Sequence, residues 1–179
     1  MTPDDLIAFE TEVSELFKAK QIHSPIHLND GCEEQMIECF ETISEDDWVC
    51  CSWRSHYQCL LKGVPRAEVM AAIIKGRSIA MCFPEYRIVS SAIVGGILPI
   101  ATGLAMAGHR VHCWVGDMTA ETGMFHECSK YAHNHGLPIR FIIEDNQHSV
   151  GTPTHKAWGK GYSYKSKYPH AGSGEWIKF

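Results

Sequence analysis

Apolar residues recur at helical spacing near the amino end. Leu6, Ile7, Phe9, Val13, Leu16 and Phe17 predict an amphipathic helix over residues 4–20, with Thr2 as its cap and Pro3 in its first position. A second helix is predicted over residues 33–43. The apolar pattern then shortens: residues 48–52 read as a buried strand, and residues 65–75 as a third helix closed by Gly76. Over residues 93–107, Gly95, Pro99, Gly103 and Ala107 fall four apart, which predicts a helix with one flat face for close packing in a core or against another subunit. Residues 111–115 read as a buried strand, 121–134 as a helix ending at Gly136, and 139–143 as another buried strand. A strand, helix, strand order implies a right-handed parallel unit. The predicted fold is therefore α/β, a mainly parallel central sheet flanked by helices. Beyond Asn146 the pattern dissolves into Gly, Ser, Tyr, Lys and Pro, so residues 159–179 are predicted to form a loop or carboxyl-terminal arm.

Length and charge narrow the possible functions. A chain of 179 residues suits one domain, residues 1–179, which would bury roughly 70% of its unfolded surface. A net charge of -5 with 45% apolar residues offers no basic footprint for nucleic acid. No apolar run is long enough to span a membrane, and Asp4, Asp5, Glu10 and Glu12 interrupt any secretory signal. Eight cysteines (Cys32, Cys39, Cys50, Cys51, Cys59, Cys82, Cys113 and Cys128) contain no CxxC pair, and are expected to be reduced core thiols of a cytoplasmic protein. His109, His133, His135, His155 and His170 are expected at the surface. His133 and His135, two apart on a helix, point in different directions and make a poor metal pair.

Chemistry concentrates after two of the predicted strands. Gly116-Asp117 follows one and Asp145-Asn146 follows the next; were those strands parallel neighbours, Asp117 and Asn146 would emerge side by side. Open parallel sheets bind ligands at that end, and the helix expected near Glu121 would aim its positive end there. A carboxylate, an amide oxygen and a backbone carbonyl make a hard oxygen set that suits Mg2+ and leaves positions for phosphate oxygens. One carboxylate holds such an ion weakly, so metal and diphosphate are expected to bind together. The plain alternative is a helix cap at Gly116-Asp117 and a turn at Asp145-Asn146, and those four residues do not decide between the two.

A longer match bears on the choice. The segment GDMTAETGMFHECSKYAHNHGLPIRFIIEDNQHSVGTPT, residues 116–154, resembles the thiamine diphosphate motif of the alpha subunits of 2-oxo acid dehydrogenases, which opens with Gly-Asp-Gly and closes with Asn-Asn. Three more segments resemble that family in the same order: HLNDGCEE (27–34), WRSH (53–56) and AIVGGILPIATGLAMA (92–107). The resemblance implies that Asp117, the Asn146 side chain and the His148 backbone carbonyl ligate Mg2+. It implies that Gly116, Met118 and Thr119 offer backbone to the diphosphate, that Arg54 grips it beside Trp53, and that Ala92 and Val94 hold the aminopyrimidine. His27 and His56 would lie near the cofactor as catalytic groups, where a side chain titrating near neutrality can move protons. Met118, Asp145 and Trp53 stand where the family has glycine, asparagine and tyrosine, and Ala80 where it has a histidine.

The implied activity is decarboxylation or oxidative decarboxylation of a 2-oxo acid, in an alpha-beta hetero-oligomer. A beta-type partner would carry the pyrimidine-binding domain and the activating glutamate. Alpha subunits of the family continue well beyond Phe179, and this chain is also similar to the small diphosphate-binding subunits of certain thiamine-dependent decarboxylases. Two further readings stay open. One is a split transketolase-like or acyloin-forming enzyme using the same cofactor; the other is a non-catalytic relative that keeps the fold as an interaction surface.

Overall fold

Eight strands are present in the computed structural model, which describes residues 1–29, 31–158 and 174–178. They are β1 (Trp48–Cys51), β2 (Cys82–Phe83), β3 (Ile88–Ser90), β4 (Val111–Gly116), β5 (Ile139–Asp145), β6 (His148–Ser149), β7 (Thr152–Pro153) and β8 (Gly174–Lys178). Six form one sheet in the order β2-β3-β1-β4-β5-β8, while β6 and β7 pair as a separate hairpin. Only β2 runs antiparallel within the larger sheet, so the architecture is α/β with a mainly parallel centre.

Helices cover both faces, and the period of two along each strand explains how. Val49 and Cys51 of β1, Trp114 of β4 and Ile142 of β5 enter one core layer. There they meet α1 (Pro3–Lys18), α2 (Glu33–Phe40), α3 (His56–Leu61) and α4 (Arg66–Ile74), through residues such as Phe9, Met36, Tyr57 and Ile73. Their neighbours Cys50, Cys113, Val115, Phe141 and Ile143 point the other way, onto α5 (Ile97–Met106). The one-turn α6 (Asp117–Ala120) follows β4, and α7 (Gly123–Asn134) lies beside α5 on that second face; α8 (Thr154–Trp158) follows the hairpin. Strands buried on both sides read as continuous apolar runs, which is why β4 and β5 stand out in the sequence. Among the described residues no helix is long and apolar enough to cross a membrane.

Strand order fixes where a ligand can sit. From β1 the chain leaves through α3 and α4 toward β3 on one side, whereas from β4 it leaves through α6 and α7 toward β5 on the other. The carboxyl ends of the adjacent strands β1 and β4 therefore part in opposite directions and open a crevice.

Several expectations change in detail. Thr2 does cap α1, through a reciprocal capping box with Asp5, but Ile7 and Phe17 are 47% and 44% exposed because the apolar stripe is narrower than their spacing suggests. The second helix stops at Phe40, short of residue 43. The fifth begins at Ile97, because Gly95 adopts φ +74 and cannot extend it. Pro99, Gly103 and Ala107 are exposed, so the flat face does not pack into this chain's own core. Thr122 caps α7, two residues later than expected, and β5 runs on to Asp145. The predicted carboxyl-terminal arm contains β8, parallel to β5. Residues 159–173, with His170, and residue 179 lie outside the described residues, as does Asp30 of the HLNDGCEE segment. All eight cysteines are free; Cys82 is exposed and Cys128 half-buried, so six rather than eight are core thiols.

Ile142 tests the packing, being a fully buried residue of β5 in the first core layer. Ile142→Ala is expected to cost about 2–5 kcal/mol in denaturant unfolding, through lost burial and the cavity left behind. A cost below about 1 kcal/mol would contradict the assigned core.

Candidate functional site

The crevice holds a cavity of about 60 Å³, walled by the segments that follow β1, β4 and β5. Ser52, Trp53 and Arg54 come from the first, Gly116 to Thr119 from the second, and Glu144, Asn146 and His148 from the third. Gly116 pairs with Glu144 across the two strands, so Asp117 and Asn146 leave the sheet at adjacent points. A space of this size admits a cation with a few waters, and is far below the several hundred Å³ of a typical cofactor pocket.

Asp117 opens α6 and is 2% exposed, yet among the described residues its Oδ2 has no hydrogen-bond partner. Burial pushes its carboxyl up to about 6; the charge of Asp145 adds to the rise, while the Met118 backbone N–H and His148 oppose it. Arg54, half-buried in the same cavity lining, has an Nε–H that is likewise shut from water without a partner among the described residues. Orphaned groups of this kind are uncommon in native interiors and point to something the protein alone does not supply. The side-chain oxygen of Asn146 accepts from the His148 backbone N–H at 3.0 Å, and an amide oxygen keeps a second lone pair for a cation. Beyond it Gln147 and Val150 adopt φ +58 and +54, and a β-branched residue in that region is strained. Among the described residues no three His, Cys, Asp or Glu side chains converge on a metal position. A cation here would rest on Asp117 with amide and carbonyl oxygens, which leaves coordination to be completed by a ligand.

This geometry can be set against known proteins. A profile of the dehydrogenase E1 component family matches residues 3–169. The chain belongs to that family. The pyruvate dehydrogenase E1 component subunit alpha of Porphyra purpurea is 27% identical over 172 residues, covering 83% of this chain and 50% of that one. The protein of the same name from Rickettsia typhi is 31% identical over 161 residues, covering 80% and 49%. The testis-specific mitochondrial form of Homo sapiens is 29% identical over 171 residues, covering 87% and 44%. This E1 component chain spans about half the length of the curated relatives it matches.

Nine of the residues singled out from the sequence line this same cavity of the E1 component chain: Trp53, Arg54, Val94, Gly116, Asp117, Met118, Thr119, Asn146 and His148. Ala92 is exposed and does not line it. His27 stands behind Trp53, with ring centroids 6.0 Å apart; burial and then the nearby Arg54 charge hold its pKa below the usual value, which favours the neutral, proton-accepting form. His56 lies elsewhere. Fully buried, it donates from Nδ1 to Glu10 Oε1 at 3.1 Å and has Nε2 2.9 Å from Ser78 Oγ. A carboxylate, imidazole and hydroxyl in sequence look like a nucleophilic triad, but Ser78 is also fully buried and no substrate can reach it. The network instead ties α1 and the 78–81 loop to the start of α3, two residues from Arg54.

Glu144 was missed. Burial pushes its carboxyl up to about 7 against the nearby Arg54 charge, and its Oε1 accepts from Gln58 Nε2 of α3 at 3.1 Å. The available signal was an acidic residue ending an otherwise apolar strand run, a pattern that water exposure at a strand end explains equally well.

A measurable consequence follows from Asp117. Its folded carboxyl titrates near 6 and its ordinary value is 3.8, so between those values the folded chain binds more protons than the unfolded one. Stability therefore falls as pH rises through that window and levels off above it, by on the order of 2–3 kcal/mol. Urea melts of Asp117→Asn should lack that part of the fall, with the Glu144 contribution remaining in both proteins. Identical pH profiles would contradict the burial assigned to Asp117.

Proposed function

We propose that this chain is the diphosphate-holding part of a thiamine diphosphate- and Mg2+-dependent enzyme that decarboxylates 2-oxo acids. It would work as an alpha-type subunit with a beta-type partner. The observation that carries this reading is the pair of orphaned groups, Asp117 Oδ2 and Arg54 Nε–H, on two residues that line one cavity at the sheet's switch point. One asks for a cation and the other for an anion, and a metal diphosphate supplies both. Family membership and relatives named pyruvate dehydrogenase E1 component subunit alpha support the same reaction class.

In this reading Asp117, the Asn146 side chain and the His148 carbonyl hold Mg2+, and the guanidinium of Arg54 binds diphosphate oxygens. Gly116, Met118 and Thr119 let the backbone approach the same oxygens at the first turn of α6. Trp53 and Val94 line the way outward, and neutral His27 behind Trp53 can accept a proton at the substrate side. His56 positions the Arg54 segment through Glu10 and Ser78. The cofactor, when bound, would supply a nucleophilic carbon and a sink for the electron pair left on the substrate when carbon dioxide departs. The size of the cavity supports the partner, since it admits the cation and leaves the rest of the cofactor to be covered by another chain, which would bring the activating glutamate.

Calorimetric titration of thiamine diphosphate with Mg2+, on the chain with its copurifying partner, tests this. Asp117→Asn is expected to weaken binding at least about a hundredfold, and Arg54→Lys about tenfold, because an ammonium cannot reproduce the guanidinium fork. Unchanged affinity in Asp117→Asn would overturn the proposal.

A further inference from the structure

We infer that Glu10 is a positioning residue: its one buried carboxylate clasps the segment that carries His27 to the segment that carries Trp53 and Arg54. The clasp thereby sets how the proton acceptor stands relative to the phosphate grip, and the inference rests on the cofactor reading above. Glu10 lies in the middle of α1 and is 4% exposed. Its Oε2 accepts from the Asn29 backbone N–H at 2.6 Å, and its Oε1 accepts from Asn29 Nδ2 at 3.4 Å and from His56 Nδ1 at 3.1 Å. Asn29 follows His27 by two residues, and His56 follows Arg54 by two. Residues 21–29 and 52–55 belong to no helix or strand, so no regular ladder fixes their spacing. They nevertheless meet: the His27 and Trp53 rings stand 6.0 Å apart, and the charges of Arg54 and His56 both act on His27.

Packing alone does not explain a glutamate here. Leu6, Phe9 and Val13 share the buried stripe of α1, and a leucine at position 10 would suit that stripe without the cost of desolvating a carboxylate. What a leucine lacks is two acceptor oxygens, and Glu10 spends one on each segment. Burial pushes its carboxyl up, while the bonds from His56 and Asn29 oppose the rise. His56 is held at its other nitrogen as well, because Nε2 lies 2.9 Å from Ser78 Oγ, so the ring cannot turn away from Glu10. Each of these bonds is closed to water, and breaking one strands a desolvated group. The longest helix of the chain thus serves as the fixed bar to which both irregular segments are tied.

The test is the affinity for thiamine diphosphate with Mg2+, measured calorimetrically on the protein with its copurifying partner. Glu10→Leu strands both donors and should weaken binding about tenfold. Glu10→Gln should stay within about threefold of the parent, because its oxygen can accept from Asn29 N–H while its amide donates to a His56 ring that has moved its proton to Nε2. That tautomer change should appear in the 15N resonances of His56 in the protein without cofactor. If Glu10 acts through the Arg54 segment, Glu10→Leu combined with Arg54→Lys should stay within about threefold of Arg54→Lys alone, whereas independent effects would multiply to about a hundredfold. Should Glu10→Leu not fold, Glu10→Asp, which keeps the charge but is one methylene too short to reach both segments, carries the same comparisons. Unchanged affinity in Glu10→Leu, a multiplied loss in the double variant, or retained affinity in Glu10→Gln with no change of tautomer would overturn the clasp and leave the cofactor reading intact. A parent protein that binds no thiamine diphosphate in the presence of Mg2+ would overturn both.

Discussion

A carboxylate removed from water must find compensation, and one oxygen of Asp117 finds none among the described residues. Burial of such a group costs folding free energy unless it is neutralised or paired. The fold keeps that cost at the carboxyl ends of the two central strands, near a second buried acid at Asp145 and in a cavity also lined by a guanidinium that is itself only partly satisfied. A locally unfavourable arrangement of this kind persists where a ligand relieves it.

The rest of the architecture serves to hold that arrangement. The parallel register of β4 against β5 brings Asp117 and Asn146 to one cavity, and the opposite winding of the connections that leave the parallel neighbours β1 and β4 opens the crevice that the Arg54 segment also lines. The first turn of α3 is then fixed from three directions: His56 to Glu10 and Ser78, Tyr57 to Glu33, and Gln58 to Glu144. Buried polar networks of this sort favour one arrangement over its neighbours, because each broken bond strands a desolvated group. Arg54 therefore sits on a rigid support although its own segment is irregular.

The sequence showed the parts of this that depend on periodicity. Strands β4 and β5 are continuous apolar runs, α1 carries its cap in Thr2 with Pro3 in its first position, and Gly76 closes α4. It did not show what depends on pairing across the chain. Strands of two or three residues such as β2 and β3 carry no period, and β8 is defined by its alignment with β5 rather than by its own pattern. Asp117 and Asn146 are 29 positions apart and meet only because their strands are neighbours. Two histidines that looked alike in the sequence separated in space: His27 stands beside the cavity-lining Trp53, while His56 is enclosed by Glu10 and Ser78. Glu144 escaped notice because one acid at the end of an apolar run is ordinary until a second helix covers it.

The central claim is that one cation and one diphosphate sit between Asp117, Asn146 and Arg54. A crystal structure of the protein grown with Mn2+ and thiamine diphosphate, with the metal located by anomalous scattering, tests it most directly. The predicted result is a single Mn2+ peak within about 2.5 Å of an Asp117 carboxylate oxygen and of the Asn146 amide oxygen, with Arg54 turned toward the diphosphate. A peak elsewhere, with Asp117 still unpartnered, would contradict the account.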